Sequence, residues 1–184
     1  MRWLQFCIVL LFLPLAACSL SGKTTTYSIE PRGAYILAGG DVLRVRVYGD
    51  ETVTGTYKVD DAGTISMPLV GVLNVDGRTT AETAGAIAAA LANGYIRNPD
   101  VAVEIETYRP FFIQGAVKGA GQFPYVSGMT VRAAVSTAGG YSDTANRMRA
   151  TLYRRIGDAM QKMVVDLDTP ILPGDTIVIA ERWL

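Results

Sequence analysis

The sequence of 184 residues predicts an α+β protein built from two small units, a strand–helix–strand unit followed by a β-grasp-like unit. Short runs that alternate apolar and polar residues predict strands, and residues 42–48 are the clearest example. Two stretches that begin just after a threonine predict helices. Clusters of Gly, Asp, Asn and Pro separate these runs and predict turns. A chain of this length can bury the cores of one or two small domains.

The first unit is predicted to begin with four short strands, at 42–48, 54–59, 64–69 and 71–75. A helix follows, because Thr79 and Glu82 have the spacing of a capping box, in which each side chain bonds the backbone N–H of the other residue. Asn93-Gly94 predicts the end of this helix, since both residues tolerate the left-handed conformation. After a turn that contains proline, renewed alternation predicts a strand over 101–106.

The second unit is predicted to begin after the proline-containing segment 108–110. Its strands are expected at 111–117, 122–126, 150–155, 164–167 and 176–179. Thr130 is the predicted N-cap of a helix over 131–138, which Gly139-Gly140 closes. Two strands, a helix and further strands, in this order, favour a β-grasp-like arrangement.

Acidic residues recur in the predicted turns. Asp60 and Asp61 stand beside Gly63 between two strands, where they form either a paired-carboxylate site or a turn. Gly40-Asp41 and Gly174-Asp175 form a weak internal repeat, since each follows an apolar residue and precedes a strand. An acid role for Asp41 and Asp175 is the alternative, but we favour turns throughout because an aspartate side chain readily bonds nearby backbone N–H groups.

Composition restricts the possible functions. Lys plus Arg and Asp plus Glu both number 17, so no basic excess indicates binding to nucleic acid. The sequence has no His, which removes the commonest general base and the commonest metal ligand. It lacks the full Gly-x-x-x-x-Gly-Lys-Ser/Thr motif of a phosphate loop. Candidates for a carboxylate-only site all lie beside predicted turns, namely Asp41, Asp60, Asp61, Asp100 and Asp143. We therefore predict no catalytic residues, no metal and no cofactor.

The first residues predict a secreted lipoprotein. Residues 1–17 place a basic start before an apolar run of 15 residues, which is typical of a signal peptide and short for a membrane span. Leu15-Ala16-Ala17-Cys18 resembles the lipobox of bacterial lipoproteins, and this resemblance implies cleavage before Cys18 and lipidation of its sulfur. Residues 18–30 are then a flexible tether, and Ser19 after the cysteine implies the outer membrane, facing the periplasm. An uncleaved membrane anchor is the alternative.

Family motifs occur in a fixed order along the chain. Structural turns are expected at Gly40, Asp41, Gly63, Pro68, Gly71, Gly115, Gly121, Gly139, Gly140, Gly174 and Asp175. With these motifs, residues 31–108 resemble the polysaccharide-export domain of the bacterial outer-membrane polysaccharide export family. Residues 109–170 resemble its SLBB domain, a β-grasp domain named for binding soluble ligands. Residues 171–184 are then a closing strand, which the resemblance implies returns to the first domain.

The resemblance implies a lipid-anchored component of an exopolysaccharide or capsule export machine. It implies a ring of identical subunits that docks on an inner-membrane polysaccharide co-polymerase and forms a conduit for the polysaccharide. Long family members end in a pore-lining helix, and this sequence ends at Leu184, so a separate outer-membrane partner such as a β-barrel is expected. The alternative is a non-conducting glycan-binding or scaffold lipoprotein of the envelope.

Charged strand faces are the residues that such a conduit could use. Arg44 and Arg46 share one face of a predicted strand, and Glu104 and Glu106 share one face of another. These side chains either line a lumen, join subunits or remain as a solvated surface.

Overall fold

The computed structural model describes residues 33–157 and 159–182. The predicted signal peptide at 1–17, the lipidation site Cys18 and the tether at 18–30 lie outside these ranges. The described elements form two lobes, which we call the N-terminal lobe (residues 34–107) and the C-terminal lobe (residues 108–182). Their mixture of strands and two helices confirms the predicted α+β class.

The N-terminal lobe contains a three-stranded antiparallel sheet, a separate hairpin and one helix. Its elements in chain order are β1 (Val42–Val47), β2 (Gly55–Lys58), β3 (Thr64–Met67), β4 (Gly71–Asn74), α1 (Thr80–Ala92) and β5 (Val101–Thr107). The sheet has the order β2-β1-β5, and β3 pairs with β4. Leu43, Val45 and Val47 alternate with exposed residues along β1 and join Ile87 and Leu91 of α1 in the core. The apolar residues that recur every second position in β1 and those four positions apart in α1 therefore pack in one core.

Helix α1 begins and ends for the local reasons that the sequence contains. The Thr79 side chain accepts a hydrogen bond from the backbone N–H of Glu82, and the Glu82 carboxylate accepts one from that of Thr79. Asn93 is the C-cap, and Gly94 follows with a φ of 93°. These contacts satisfy backbone groups that a helix end otherwise leaves free.

The C-terminal lobe is a five-stranded mixed sheet with one helix packed on its inner face. Its elements are β6 (Phe111–Gly115), β7 (Gly121–Phe123), α2 (Val131–Thr137), β8 (Arg149–Ile156), β9 (Ala159–Asp166) and β10 (Thr176–Ile179). The strand order is β7-β6-β10-β8-β9, with β10 parallel to β6 and antiparallel to β8. Val131, Ala134 and Val135 of α2 are buried against this sheet.

The expected return of the closing strand to the first domain is wrong. Strand β10 lies at the centre of the C-terminal sheet, between β6 and β8. Ile177 and Ile179 are buried in the core of that lobe, and β6 and β8 each contribute backbone partners. Residues 171–182 therefore complete the second sheet, because that sheet would otherwise leave β6 and β8 without a partner between them.

Strand β9 is longer than the sequence predicts and begins earlier than 164. It pairs with β8 along eight residue positions, from Arg149–Asp166 to Ile156–Ala159. Most of its side chains are exposed, so the apolar–polar alternation that marks a half-buried strand is absent from residues 159–163.

Candidate functional site

Asp41 forms the first of two similar turns, at the start of β1. The carboxylate is fully buried, and Ala38 donates its backbone N–H to Oδ2 at 3.0 Å. Asp41 in turn donates its own N–H to the Ala38 carbonyl at 3.2 Å, and its carbonyl accepts from the N–H of Val59 at 2.8 Å. Gly40 has a φ of 93°, a conformation that glycine adopts without steric cost.

Asp175 forms the second turn, at the start of β10, with the same bonding pattern. Its carboxylate is 1% exposed and accepts from the N–H of Leu172 at 2.6 Å, while its own N–H donates to the Leu172 carbonyl at 3.2 Å. Gly174 has a φ of 85°, and Phe112 of β6 donates its N–H to the Asp175 carbonyl at 2.9 Å. The internal repeat in the sequence therefore corresponds to a repeated turn that starts the central strand of each sheet.

Each buried aspartate is paired with an arginine that is distant in sequence. Arg154 of β8 contacts both oxygens of Asp175, at 2.9 Å from Nε and 2.7 Å from Nη2. Arg109 contacts Asp41 through its backbone N–H at 2.9 Å and through Nη1 at 3.0 Å. A buried carboxylate needs such a partner because an unpaired charge inside a protein is costly. From the sequence, we did not predict that these arginines pair with the buried aspartates. The one signal for Arg109 was its position in segment 108–110, between the two predicted units.

Arg109 joins the two turns at the junction of the lobes. Its Nη1 atom also donates to the Tyr35 hydroxyl at 2.8 Å, and that hydroxyl donates to Asp41 at 2.9 Å. A Cβ atom on Gly40 would lie 3.3 Å from the Arg109 Cβ, and one on Gly174 would lie 3.0 Å from its Nε. The arginine stem therefore lies against both turns, where a larger residue than glycine would crowd it.

Three tyrosines continue this junction between the lobes. The rings of Tyr35 and Tyr108 meet edge to face with centroids 5.0 Å apart, and those of Tyr108 and Tyr125 do so at 5.3 Å. Burial, followed by the Asp41 charge, raises the pKa of Tyr35 well above its ordinary value. Edge-to-face rings and a buried ion pair have defined geometry, so this cluster holds the two lobes in one orientation.

Replacing Tyr35 with Phe should make stability less sensitive to alkaline pH. The folded-state pKa of Tyr35 is raised, so the unfolded chain loses this proton first, and the wild type loses stability above about pH 10. The Phe variant has no such proton. Urea unfolding at about pH 8 and about pH 11 should therefore show the difference between wild type and variant narrowing as pH rises. Tyr48→Phe, at a residue 87% exposed, is the control. A difference that stays constant across this range contradicts the assignment.

The charged faces of β1 and β5 pair with each other. Arg44 contacts Glu106, and Arg46 contacts Glu104, each at 3.0 Å across the two strands. Hydrogen bonds from Arg44 and Thr56 lower the pKa of Glu106. Within one chain, these four side chains form exposed cross-strand ion pairs.

The predicted turn residues occupy turns or strand ends. Asp60 accepts from the N–H groups of Ala62 and Thr64 and from the Thr64 hydroxyl, which lowers its pKa. Pro68 begins the tight turn between β3 and β4, where its carbonyl accepts from the Val70 N–H at 2.7 Å. A positive φ occurs at the glycines named above, which are Gly40, Gly63, Gly71, Gly115, Gly121, Gly139, Gly140 and Gly174.

The acids of the described residues are not grouped as a metal site would require. Within residues 33–157 and 159–182, no three Cys, Asp or Glu side chains are placed to hold a metal ion. In the same ranges, no helix is both long and apolar enough to span a bilayer. The buried charges of the described chain serve turns and the lobe junction.

Comparison with known proteins assigns both lobes. The family model described as polysaccharide biosynthesis/export protein matches residues 29–106, and the SLBB domain model matches residues 110–164. The chain is 36% identical over 147 residues to the exopolysaccharide production protein ExoF of Rhizobium meliloti (strain 1021), which covers 73% of this chain and 34% of that protein.

Two further relatives have related names. Identity is 34% over 134 residues to the EPS I polysaccharide export outer membrane protein EpsA of Ralstonia solanacearum, covering 70% of this chain and 33% of that protein. The chain is 26% identical over 175 residues to the polysialic acid transport protein KpsD of Escherichia coli, which covers 88% of this chain and 30% of that protein. The chain thus spans about a third of the length of these relatives. The chain belongs to the polysaccharide biosynthesis/export protein family and carries an SLBB domain after its export domain.

Proposed function

We propose that this protein is a component of an exopolysaccharide or capsule export machine. The observation that supports this most directly is the export domain followed by an SLBB domain, matched in relatives named for polysaccharide production, export and transport. Export requires a scaffold with a stable shape and no bond-making chemistry. The described lobes suit that role, since their buried acids are engaged in turns and ion pairs.

The finer parts of the proposal concern location and assembly. The protein is anchored in the outer membrane by lipid on Cys18 and faces the periplasm. Identical subunits form a ring, which docks on an inner-membrane polysaccharide co-polymerase and surrounds the polysaccharide. The lipobox-like segment before Cys18 supports the anchor, and the names of the relatives support the envelope location. Two acyl signals or more are needed for stable anchoring, which lipidated cysteines of this type supply.

Deletion of the gene should abolish polysaccharide outside the cell, and a plasmid copy of the wild type should restore it. Cys18→Ala should fail to restore export, because the protein loses its anchor. Cys7→Ala is the matched control and should restore export, since Cys7 lies within the predicted signal peptide. Extracellular polysaccharide measured by uronic acid or hexose assay reports each result.

Unchanged secretion after deletion, in a strain with no second family member, would overturn the export proposal. Full restoration by Cys18→Ala would overturn the anchor alone. Native mass spectrometry of the detergent-extracted protein tests the ring, since a ring gives one defined oligomer mass. A monomer that binds glycan would instead favour the non-conducting scaffold lipoprotein.

A further inference from the structure

The outer face of the C-terminal sheet is open to solvent. The inner face carries Ile113, Leu152 and Ile177, which are buried against α2 and its neighbouring loops. Side chains alternate between the two faces of a strand, so the neighbours of these residues point the other way. Phe112 on that other face is 43% exposed, and Val164 is 65% exposed.

One line of paired residues crosses all five strands on this face. The backbone register pairs Gln122 with Phe112, Phe112 with Thr176, Thr176 with Tyr153, and Tyr153 with Lys162. We call these five residues the outer row. Directly paired residues lie on the same face of a sheet. Two aromatic rings therefore flank a threonine, with an amide at one end of the row and an ammonium group at the other.

A second line of paired residues lies beside the outer row. It runs from Gln114 through Val178 and Thr151 to Val164. Gln114 adds another amide at one end of this line, and Thr151 adds another hydroxyl between Val178 and Val164. The face thus alternates flat apolar surface with groups that both donate and accept hydrogen bonds.

Positive charge collects at one end of this face. Lys162, Arg149 and Arg155 lie on it, and among the residues that the structure describes on these two strands Asp166 is the acid on this face, opposite Arg149 in the register. Lys162 Nζ lies 5.8 Å from the centroid of the Tyr153 ring. Among the described residues, none forms a side-chain ion pair with Lys162, Arg149 or Arg155. These cations remain available to an anionic partner.

We propose that the outer row is a binding track for an extended anionic polysaccharide. Adjacent strands are about 4.8 Å apart, so Phe112 and Tyr153, on strands separated by β10, are about 10 Å apart. That spacing is comparable to the length of a disaccharide in an extended chain. Apolar C–H faces of pyranose rings stack on the two aromatic rings, while Gln114, Gln122 and Thr176 bond the hydroxyls. The inference rests on the proposed export function and names the surface that the glycan contacts.

A flat, open face favours a polymer over a small ligand. Small molecules bind in concave pockets that surround most of their surface. This face can contact a ligand from one side only, but it extends across five strands. Carboxylates along a glycan would complement the three cations, and this attraction weakens as salt rises. A neutral glycan would use the aromatic rings and lose the contribution of the cations.

The test uses the full chain in detergent and two hexasaccharides of equal length. Mannuronate hexasaccharide is the anionic probe, and cellohexaose is the neutral probe, each followed by isothermal titration calorimetry. We expect saturable binding of the anionic probe, weaker binding of the neutral one, and loss of the difference at high salt. Phe112→Ser and Tyr153→Ser should each weaken binding about tenfold, because aromatic anchors dominate such contacts.

Control variants separate binding from folding. Tyr95→Ser removes an aromatic side chain that is 56% exposed in the N-terminal lobe, and it should leave binding unchanged. Lys162→Gln keeps both aromatic rings. It should weaken binding of the anionic hexasaccharide and leave binding of the neutral one unchanged. Circular dichroism verifies that each variant retains the wild-type fold.

Three results would overturn the proposal. They are the absence of binding to either probe, equal binding by the Ser variants and the wild type, and a change in oligomer mass in the Ser variants with glycan binding retained. The last result would assign the face to a second copy of this chain.

Complementation of the gene deletion distinguishes the binding-track hypothesis from the export hypothesis. If the wild type and the Ser variants restore export equally and bind alike, the track is wrong and the export function stands. If deletion leaves secretion unchanged, the export function fails, and calorimetry still decides the track.

Discussion

Replacing Arg109 with Ala should lower the free energy of unfolding by about 3 kcal/mol, because it leaves the buried Asp41 carboxylate without its charge partner. Removing one member of a buried ion pair costs about 3–5 kcal/mol, and the lower end applies here. Asp41 keeps the hydrogen bonds from Tyr35, Ala38 and the backbone N–H of residue 109. The substitution keeps the Cβ beside Gly40 but removes the Cδ and Nε atoms that lie against Gly174, so the turn at Gly174 loses a contact.

The matched control is Arg46→Ala. Arg46 also contacts one carboxylate at 3.0 Å, but both partners in that pair are more than half exposed. Water replaces the lost partner at such a site, so the unfolding midpoint should change far less. Urea unfolding followed by circular dichroism measures both variants. Equal losses in the two variants would show that burial of Asp41 at the lobe junction does not set the strength of its pairing.

Replacing Gly115 with Ala should cost about 4 kcal/mol, from about 1–2 kcal/mol for the positive φ and about 1–3 kcal/mol for overpacking. Gly115 has a φ of 89° at the end of β6. A Cβ atom there would overlap the backbone oxygen of Ile179 in β10. Backbone atoms cannot move aside as a flexible side chain can. That oxygen also accepts the N–H of Ala116 at 2.8 Å, so the central pairing of the C-terminal sheet would be pushed apart.

Gly71→Ala separates the two contributions. Gly71 has a φ of 78°, and a Cβ atom there would meet no heavy atom within 4 Å. Its substitution should therefore cost only the conformational part, about 1–2 kcal/mol. Thermal and urea unfolding of both variants give the comparison. If Gly115→Ala loses no more stability than Gly71→Ala, β6 and β10 are free to separate, and the close approach is not needed for the fold.

Several elements could be predicted from short stretches of sequence because their causes are local. The Thr79–Glu82 capping box and the Asn93-Gly94 end determine α1 through contacts within a few residues. Alternation along 42–47 identified the core side of β1, since burial of Leu43, Val45 and Val47 follows from the strand period. The turn at Gly40-Asp41 likewise depends on bonds to Ala38, three residues away.

Other features arise from groups that meet only after the chain folds. Arg109 reaches Asp41 across 68 positions, and no local pattern marks which cation a buried acid will choose. The position of β10 depends on β6 and β8, which pair with its two edges, and no pattern within its four residues distinguishes a central strand from an edge strand. The outer row exists because five strands share one register. Local chemistry thus sets helices, turns and strand faces, whereas long-range pairing assembles the lobe junction and the open sheet face, because side chains distant in sequence become neighbours only in the folded state.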